Sequence, residues 1–202
     1  ILGVDPQRRQ DFKHWVDAFL DAANRERMDE ERYRNCREAT DTMKCYFEEV
    51  IAERRAKPSD DLISAFIQAE DNGNMLSANE VLANTILLLT GGVETTSNLT
   101  GSIMGILATR PDVYEAVKAD QALIPQLIEE TLRFSSPVQI LFRDALADCE
   151  VSGVSIPKGS RILVLVGSAN RDESVFSNPD EFDLYRSKAE LGKILSFGAG
   201  VH

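Results

Sequence analysis

The residues of this chain that could do chemistry fall in three short segments. Gly91-Gly92-Val93-Glu94-Thr95-Thr96 lies inside a long apolar run, and two glycines within a helix cost about 1 kcal/mol each against alanine, so they need a local reason. Thr95 stands four residues after Gly91, the spacing at which a threonine hydroxyl bonds back to a helix carbonyl and bends the helix. Such a bend would open a groove at Gly91 with the Glu94 carboxyl and the Thr95 hydroxyl at its edge, a pair suited to relaying protons into an apolar pocket. The same residues also suit a plainer role, with glycines for close helix packing and Glu94 a capped, buried acid.

The second segment holds Glu130 and Arg133, an i,i+3 pair that would contribute only about 0.2–0.5 kcal/mol if exposed. The third is Phe197-Gly198-Ala199-Gly200-Val201-His202, where alternate glycines permit tight turns and close approach of the backbone to a flat ligand. Gly192 does not complete a strand-to-helix GxGxxG frame with them, which disfavours a dinucleotide site. Cys36, Cys45 and Cys149 form no CxxC pair and have no His at ligand spacing, so they read as plain buried or half-buried thiols of a reducing cytoplasm.

The elements that must position these segments are mostly helices. Phe12, Trp15, Val16, Phe19 and Leu20 recur at spacings of three and four and predict an amphipathic helix over Asp11–Ala23. Arg25–Arg55, dense in charge with sparse apolar positions, predicts a long surface helix, and Asp61–Glu70 a shorter one, followed by a turn at Asp71-Asn72-Gly73-Asn74. Ser77 with Glu80 three residues on is a capping box, predicting a helix from Ala78 to about Ala108 that is apolar nearly all round and hence buried at the centre of the fold. Pro125 opens a helix over Gln126–Phe134, which Pro137 terminates. After Arg143 the texture becomes that of strands: Val151, Val154 and Ile156 flank a Ser152-Gly153 turn, Pro157-Lys158-Gly159 makes a second turn, and Ile162–Val166 is a β-branched run. The expectation is a mainly α chain with a small β part: residues 1–143 helical, 144–170 β, and 171–202 an ordered meander.

Composition narrows the function classes. With 43% apolar and 27% charged residues in 202, the chain is that of an ordinary globular protein. Thirty-three acidic against 22 basic side chains leave a net charge of −11, with no Lys/Arg stripe to neutralise phosphates, which argues against a nucleic-acid partner. The most apolar stretch, Val81–Val93, is interrupted by Asn84 and Thr85 and ended by Glu94, short of the ~20 residues a membrane span needs. Ile1–Gln10 lacks the pattern of a signal peptide, and the first residue is not Met, which suggests an internal piece of a soluble cytoplasmic protein.

Taken together, in this order and spacing, the segments resemble the bacterial-type cytochrome P-450 family over essentially the whole chain. Gly91-Gly92-Val93-Glu94-Thr95-Thr96 is similar to its oxygen-activating motif on the long helix over the haem, Glu130-Thr131-Leu132-Arg133 to its ExxR motif, and Phe182-Asp183-Leu184-Tyr185-Arg186 to the meander whose arginine completes a buried network with that Glu and Arg. Arg143 matches the position that meets a haem propionate, Phe197–His202 the start of the FGxGxH haem loop, Asn170-Arg171-Asp172 a familiar bacterial segment, and Ile1-Leu2-Gly3-Val4 the approach to the substrate-access helices. The ligating Cys of that loop would stand two positions beyond His202. The resemblance implies a partial P-450 fold and a haem b (iron protoporphyrin IX) monooxygenase using O2, a small organic substrate and a ferredoxin or flavoprotein electron donor. It further implies proton supply by Glu94 and Thr95, haem contact by Gly91, Arg143, Phe197, Gly198, Gly200 and His202, and a structural network of Glu130, Arg133 and Arg186. Leu87, Thr90, Val138, Ile140 and Leu141 are candidates for the substrate pocket. Peroxide-driven oxidation or rearrangement on the same fold is an alternative, disfavoured by the presence of both Glu94 and Thr95; a haem-free helical binding module is a remoter one.

Overall fold

The computed structural model describes residues 1–21, 29–71 and 74–199, whose contacts divide into two compact units, residues 1–94 and 95–202. In the first, α1 (Arg9–Asp21) and α2 (Glu30–Ala56) pack through the aromatic face expected for α1. Phe12 meets Trp15 edge-on at 5.5 Å, and Met43 and Phe47 of α2 are wholly buried. Asp29 caps α2 by accepting from the Arg32 amide at 2.8 Å. Asp61 caps α3 (Leu62–Gln68) through the Ser64 amide and also accepts from Arg54 Nε at 2.6 Å. Arg54 in turn donates to the Gly3 carbonyl at 2.7 Å, so one guanidinium ties the first residues to α2 and α3. The expected turn near residue 72 is flanked by the antiparallel pair β1 (Glu70–Asp71) and β2 (Asn74–Met75); residues 72 and 73 lie outside the described residues, as do 22–28 from the expected first and second helices.

Helix α4 (Ala78–Thr109) starts with the expected capping box: Glu80 accepts from the Ser77 amide at 2.8 Å while the Ser77 hydroxyl accepts from the Glu80 amide at 3.3 Å. Burial on all sides, expected from its composition, is not found. Val81, Thr85, Ile86, Leu89 and Thr90 are buried, but Leu87 and Met104 are 66% and 61% exposed, because within each unit α4 is covered on one side. The helix runs on through the position of the expected opening at Gly91, residues 78–109 being α-helical throughout. Lacking Cβ atoms, Gly91 and Gly92 lower helix propensity without creating any clash that would break the ladder.

The second unit packs α5 (Pro111–Ala119) and α6 (Ile124–Phe134) around Val113, Leu127, Phe182 and Leu184. Strand β3 (Ile140–Asp144) pairs antiparallel with β6 (Arg161–Leu165), Ile140 facing Leu165 and Arg143 facing Ile162; β structure thus begins at Ile140, ahead of Arg143. Between them β4 (Cys149–Val151) and β5 (Val154–Ile156) form a hairpin. Its two-residue turn has Ser152 and Gly153 at φ 50° and 81°, the left-handed values that match strand twist. Gly159, at φ 83°, supplies the second turn, closed by the Ser160 amide on the Pro157 carbonyl at 3.1 Å. Val166 leaves the strand it was expected to end and opens the short helix α7 (Val166–Ala169), because the small Gly167, Ser168 and Ala169 that follow favour no strand. Of the cysteines Cys36 is buried, but Cys45 and Cys149 are exposed, on the solvent face of α2 and on the polar hairpin, where no core reaches them.

Candidate functional site

The chemistry of the second unit is organised by the last two turns of α6. Pro125 lies in its first turn, where a missing N–H costs nothing, and the apolar stripe that seats the helix carries Glu130 and Arg133 inward with it. The pair that would contribute little at a surface is completely buried, both side chains at 0% exposure. Arg133 grips Glu130 with Nε and Nη2, each at 2.8 Å, the bidentate geometry of strong guanidinium–carboxylate pairs. Its remaining donors reach the carbonyls of Asn170 (3.0 Å), Pro179 (2.7 Å) and Glu181 (2.9 Å). Glu130 also accepts from Arg186 Nε at 2.9 Å and from the Asp183 amide at 3.0 Å. The structure therefore brings Glu130, Arg133 and Arg186 together.

Two buried guanidiniums against one carboxylate would leave an uncompensated charge. Glu190, on the short helix α8 (Lys188–Leu191), supplies the balance, accepting from Arg186 Nη1 at 3.3 Å. Hydrogen bonds from the Ser177 amide and hydroxyl and the Ser187 hydroxyl, with Arg186 beside it, hold its carboxyl at about 2, far below the ordinary 4.5. Sequence reasoning passed over Glu190, although Ser187 and Glu190 have capping-box spacing that marks this helix start. It gave no role to Asn170, named only within the Asn170-Arg171-Asp172 segment, and passed over Ser196; both are joined to α6 by hydrogen bonds.

Arg143 lies on β3 with its guanidinium exposed, donating to the Phe142 carbonyl at 2.8 Å, and it has no carboxylate partner among the described residues. Beyond α8, Phe197 is 84% exposed and Gly198 sits at φ 80° with nothing within 4 Å of where a Cβ would stand. Gly200 and His202 lie outside the described residues. On α4, Glu94 is exposed and Thr95 half-buried. A Cβ added at Gly91 or Gly92 would meet no atom within 4 Å among the described residues. Leu87 is exposed, whereas Thr90 is buried with its hydroxyl bonded to the Ile86 and Leu87 carbonyls at 2.9 and 3.2 Å. Val138 and Leu141 are half-buried and Ile140 is 45% exposed. Leu87, Thr90, Gly91 and Glu94 belong to the first unit, and Thr95 and the remaining candidates to the second.

The sequence profile described as Cytochrome P450 matches residues 10–202. The chain belongs to the cytochrome P450 family. Among its relatives, Cytochrome P450 107B1 of Saccharopolyspora erythraea is 37% identical over 203 residues, covering 100% of this chain and 47% of that protein. Among solved structures, cytochrome P450 CYP109Q5 from Chondromyces apiculatus matches 100% of this chain and 48% of its own, with 40% identity and a TM-score of 0.84. CYP109E1 from Bacillus megaterium in complex with testosterone matches 99% of this chain and 52% of its own, with 34% identity and a TM-score of 0.84. The chain thus spans about half the length of these P450 relatives. The mostly helical fold with small sheets is that of the family. No helix of the described residues is long and apolar enough to cross a membrane.

The family implies a haem, and the residues present fit one. Arg143 offers an exposed cation without a carboxylate partner among the described residues, as a propionate requires. Phe197 and Gly198 offer an exposed ring beside open backbone, which a flat macrocycle can approach closely.

Proposed function

We propose that this chain is part of a haem b monooxygenase that inserts one oxygen atom of O2 into a small organic substrate. The observation that carries this reading is the fully buried Glu130–Arg133–Arg186 network. Burying three charges to hold an irregular meander in place is expensive, and it makes sense where the segment that follows must be held to within a fraction of an ångström for a cofactor. A haem bound here would supply the activation of dioxygen, and a cysteine expected two positions past His202 would be its protein ligand. Arg143 would hold a propionate, and Phe197 and Gly198, followed by Gly200 and His202, would line the loop that carries the thiolate. Glu94, exposed on α4, would take protons from solvent, and the hydroxyl of Thr95 would hand them inward. Leu87, Thr90, Val138, Ile140 and Leu141 are the candidates for contact with substrate. Electrons would come from a ferredoxin or a flavoprotein. A cytoplasmic site of action goes with this reading.

The test is made on the full-length protein carrying this chain. It should bind haem, show the thiolate-type spectrum in its reduced carbon monoxide complex, and consume O2 with an electron donor in the presence of substrate. Steroid-sized apolar compounds are a sensible first panel, because testosterone occupies the Bacillus megaterium relative. A protein that binds no haem would sink the proposal. Turnover with hydrogen peroxide but none with O2 and reductant would replace it by the peroxide-driven reading.

A further inference from the structure

An α-helix leaves its last four carbonyls without intrahelical partners, and the way α6 fills this need points past the Glu–Arg network. The Thr131 carbonyl accepts from the Ser135 amide at 2.8 Å, and that of Phe134 from Arg171 Nη2 at 3.0 Å. The Leu132 carbonyl accepts from the hydroxyl of Ser196 at 2.6 Å. Ser196 immediately precedes Phe197, so the entry to the glycine loop is fastened to the end of α6 by a side chain.

Asn170 holds the same place from the other side. It is completely buried, and both ends of its amide are used: Oδ1 accepts from the Leu195 amide at 2.8 Å, and Nδ2 donates to Ser196 Oγ at 2.9 Å. The direction of the chain is fixed, since the Leu195 N–H can face only the oxygen of the amide. It runs from Asn170 Nδ2 to Ser196 Oγ and from the Ser196 hydroxyl to Leu132. The Asn170 carbonyl meanwhile accepts from Arg133 Nη1 at 3.0 Å. Glu130, Arg133, Asn170 and the Leu195-Ser196 pair are therefore one connected set of hydrogen bonds, buried at Arg133 and part-buried at Leu195 and Ser196. An asparagine is suited to this position because it presents one acceptor and one donor on a rigid plane without charge. Aspartate loses the donor, and alanine loses both.

We infer that Asn170 and Ser196 are positioning residues for the haem loop, fixing where Phe197 and the residues after it leave the end of α6. The inference rests on the haem-binding reading above. In the full-length protein Asn170→Ala and Asn170→Asp should speed haem transfer to apomyoglobin by about 10-fold, the usual consequence of removing an outer-shell partner. They should also shift part of the reduced carbon monoxide complex from the thiolate-type band to the thiolate-free one. Ser196→Ala should do the same to a lesser degree, and Ser196→Thr, which keeps the hydroxyl, should restore both readouts. The serine pair decides the matter if the asparagine variants fail to fold. A wild-type thiolate band and haem-transfer rate left unchanged in Asn170→Asp and Ser196→Ala would overturn this inference alone. A wild-type protein with no thiolate-type band would overturn the functional reading and this inference with it.

Discussion

Arg133→Ala is the perturbation that the structure makes most quantitative. All five guanidinium donors are used, on Glu130 twice and on the carbonyls of Asn170, Pro179 and Glu181. Truncation leaves Glu130 buried with Arg186 and one amide for partners. Breaking a buried pair in this way costs roughly 3–5 kcal/mol. The Asn170 and Pro179 carbonyls lose donors as well, at about 1–3 kcal/mol each if no water replaces them. Against a total stability of about 5–15 kcal/mol for a typical domain, that is enough to deplete the folded state. Arg133→Lys keeps the charge but has three donors on one nitrogen and cannot span the fork, so it should lose about 2–3 kcal/mol. The assay is the urea midpoint of the full-length protein together with its soluble yield and haem-to-protein ratio. The expected order is wild type, then Arg133→Lys, then Arg133→Ala with little or no haem-loaded protein. A loss under about 1 kcal/mol in Arg133→Ala, the figure for an exposed pair, would refute the reasoning.

Two further outcomes are expected, the first from the proposed function and the second from the geometry around Glu190. Thr95→Ala in the reconstituted full-length enzyme should keep substrate binding and reductant consumption but lose product and release hydrogen peroxide, with Thr95→Ser much less affected; an unchanged ratio of product to reductant in Thr95→Ala would leave Thr95 a plain helix residue. Glu190, whose carboxyl is held at about 2 against the ordinary 4.5, contributes stability that is complete above the ordinary value and is lost as pH falls through the lower one. Its side chain is 20% exposed, so after solvent screening the contribution is on the order of 2 kcal/mol. Glu190→Gln should lower the urea midpoint at neutral pH, and the gap to wild type should close as pH falls toward 2; a gap independent of pH would contradict this.

The helical framework was legible because it is local. The Phe12-Trp15-Val16 stripe, the Ser77/Glu80 box and Pro125 in the first turn of α6 encode their elements within a few residues, and propensity, capping and periodicity act over that range. The Ser152-Gly153 and Pro157-to-Ser160 turns were legible for the same reason, being set by backbone freedom at single glycines. Glu130, Arg133 and Arg186 were named from a resemblance; by spacing alone Glu130 and Arg133 were one i,i+3 pair among many on charged helices. Their worth depends on dielectric, and dielectric depends on what covers them: Phe176, 1% exposed, lies beneath the Arg133 guanidinium, and the carbonyls around it come from residues 170 to 181. The composition of α4 likewise suggested burial on all sides, yet Leu87 and Met104 face outward, since which faces are covered is a property of the neighbours. Asn170, Ser196 and Glu190 carry no local signature of their importance beyond one capping box. Their roles arise from hydrogen bonds spanning 13 to 64 residues of chain, and such bonds form only once tertiary packing has brought the partners together and, at the buried Asn170, excluded the water that would otherwise satisfy the amide.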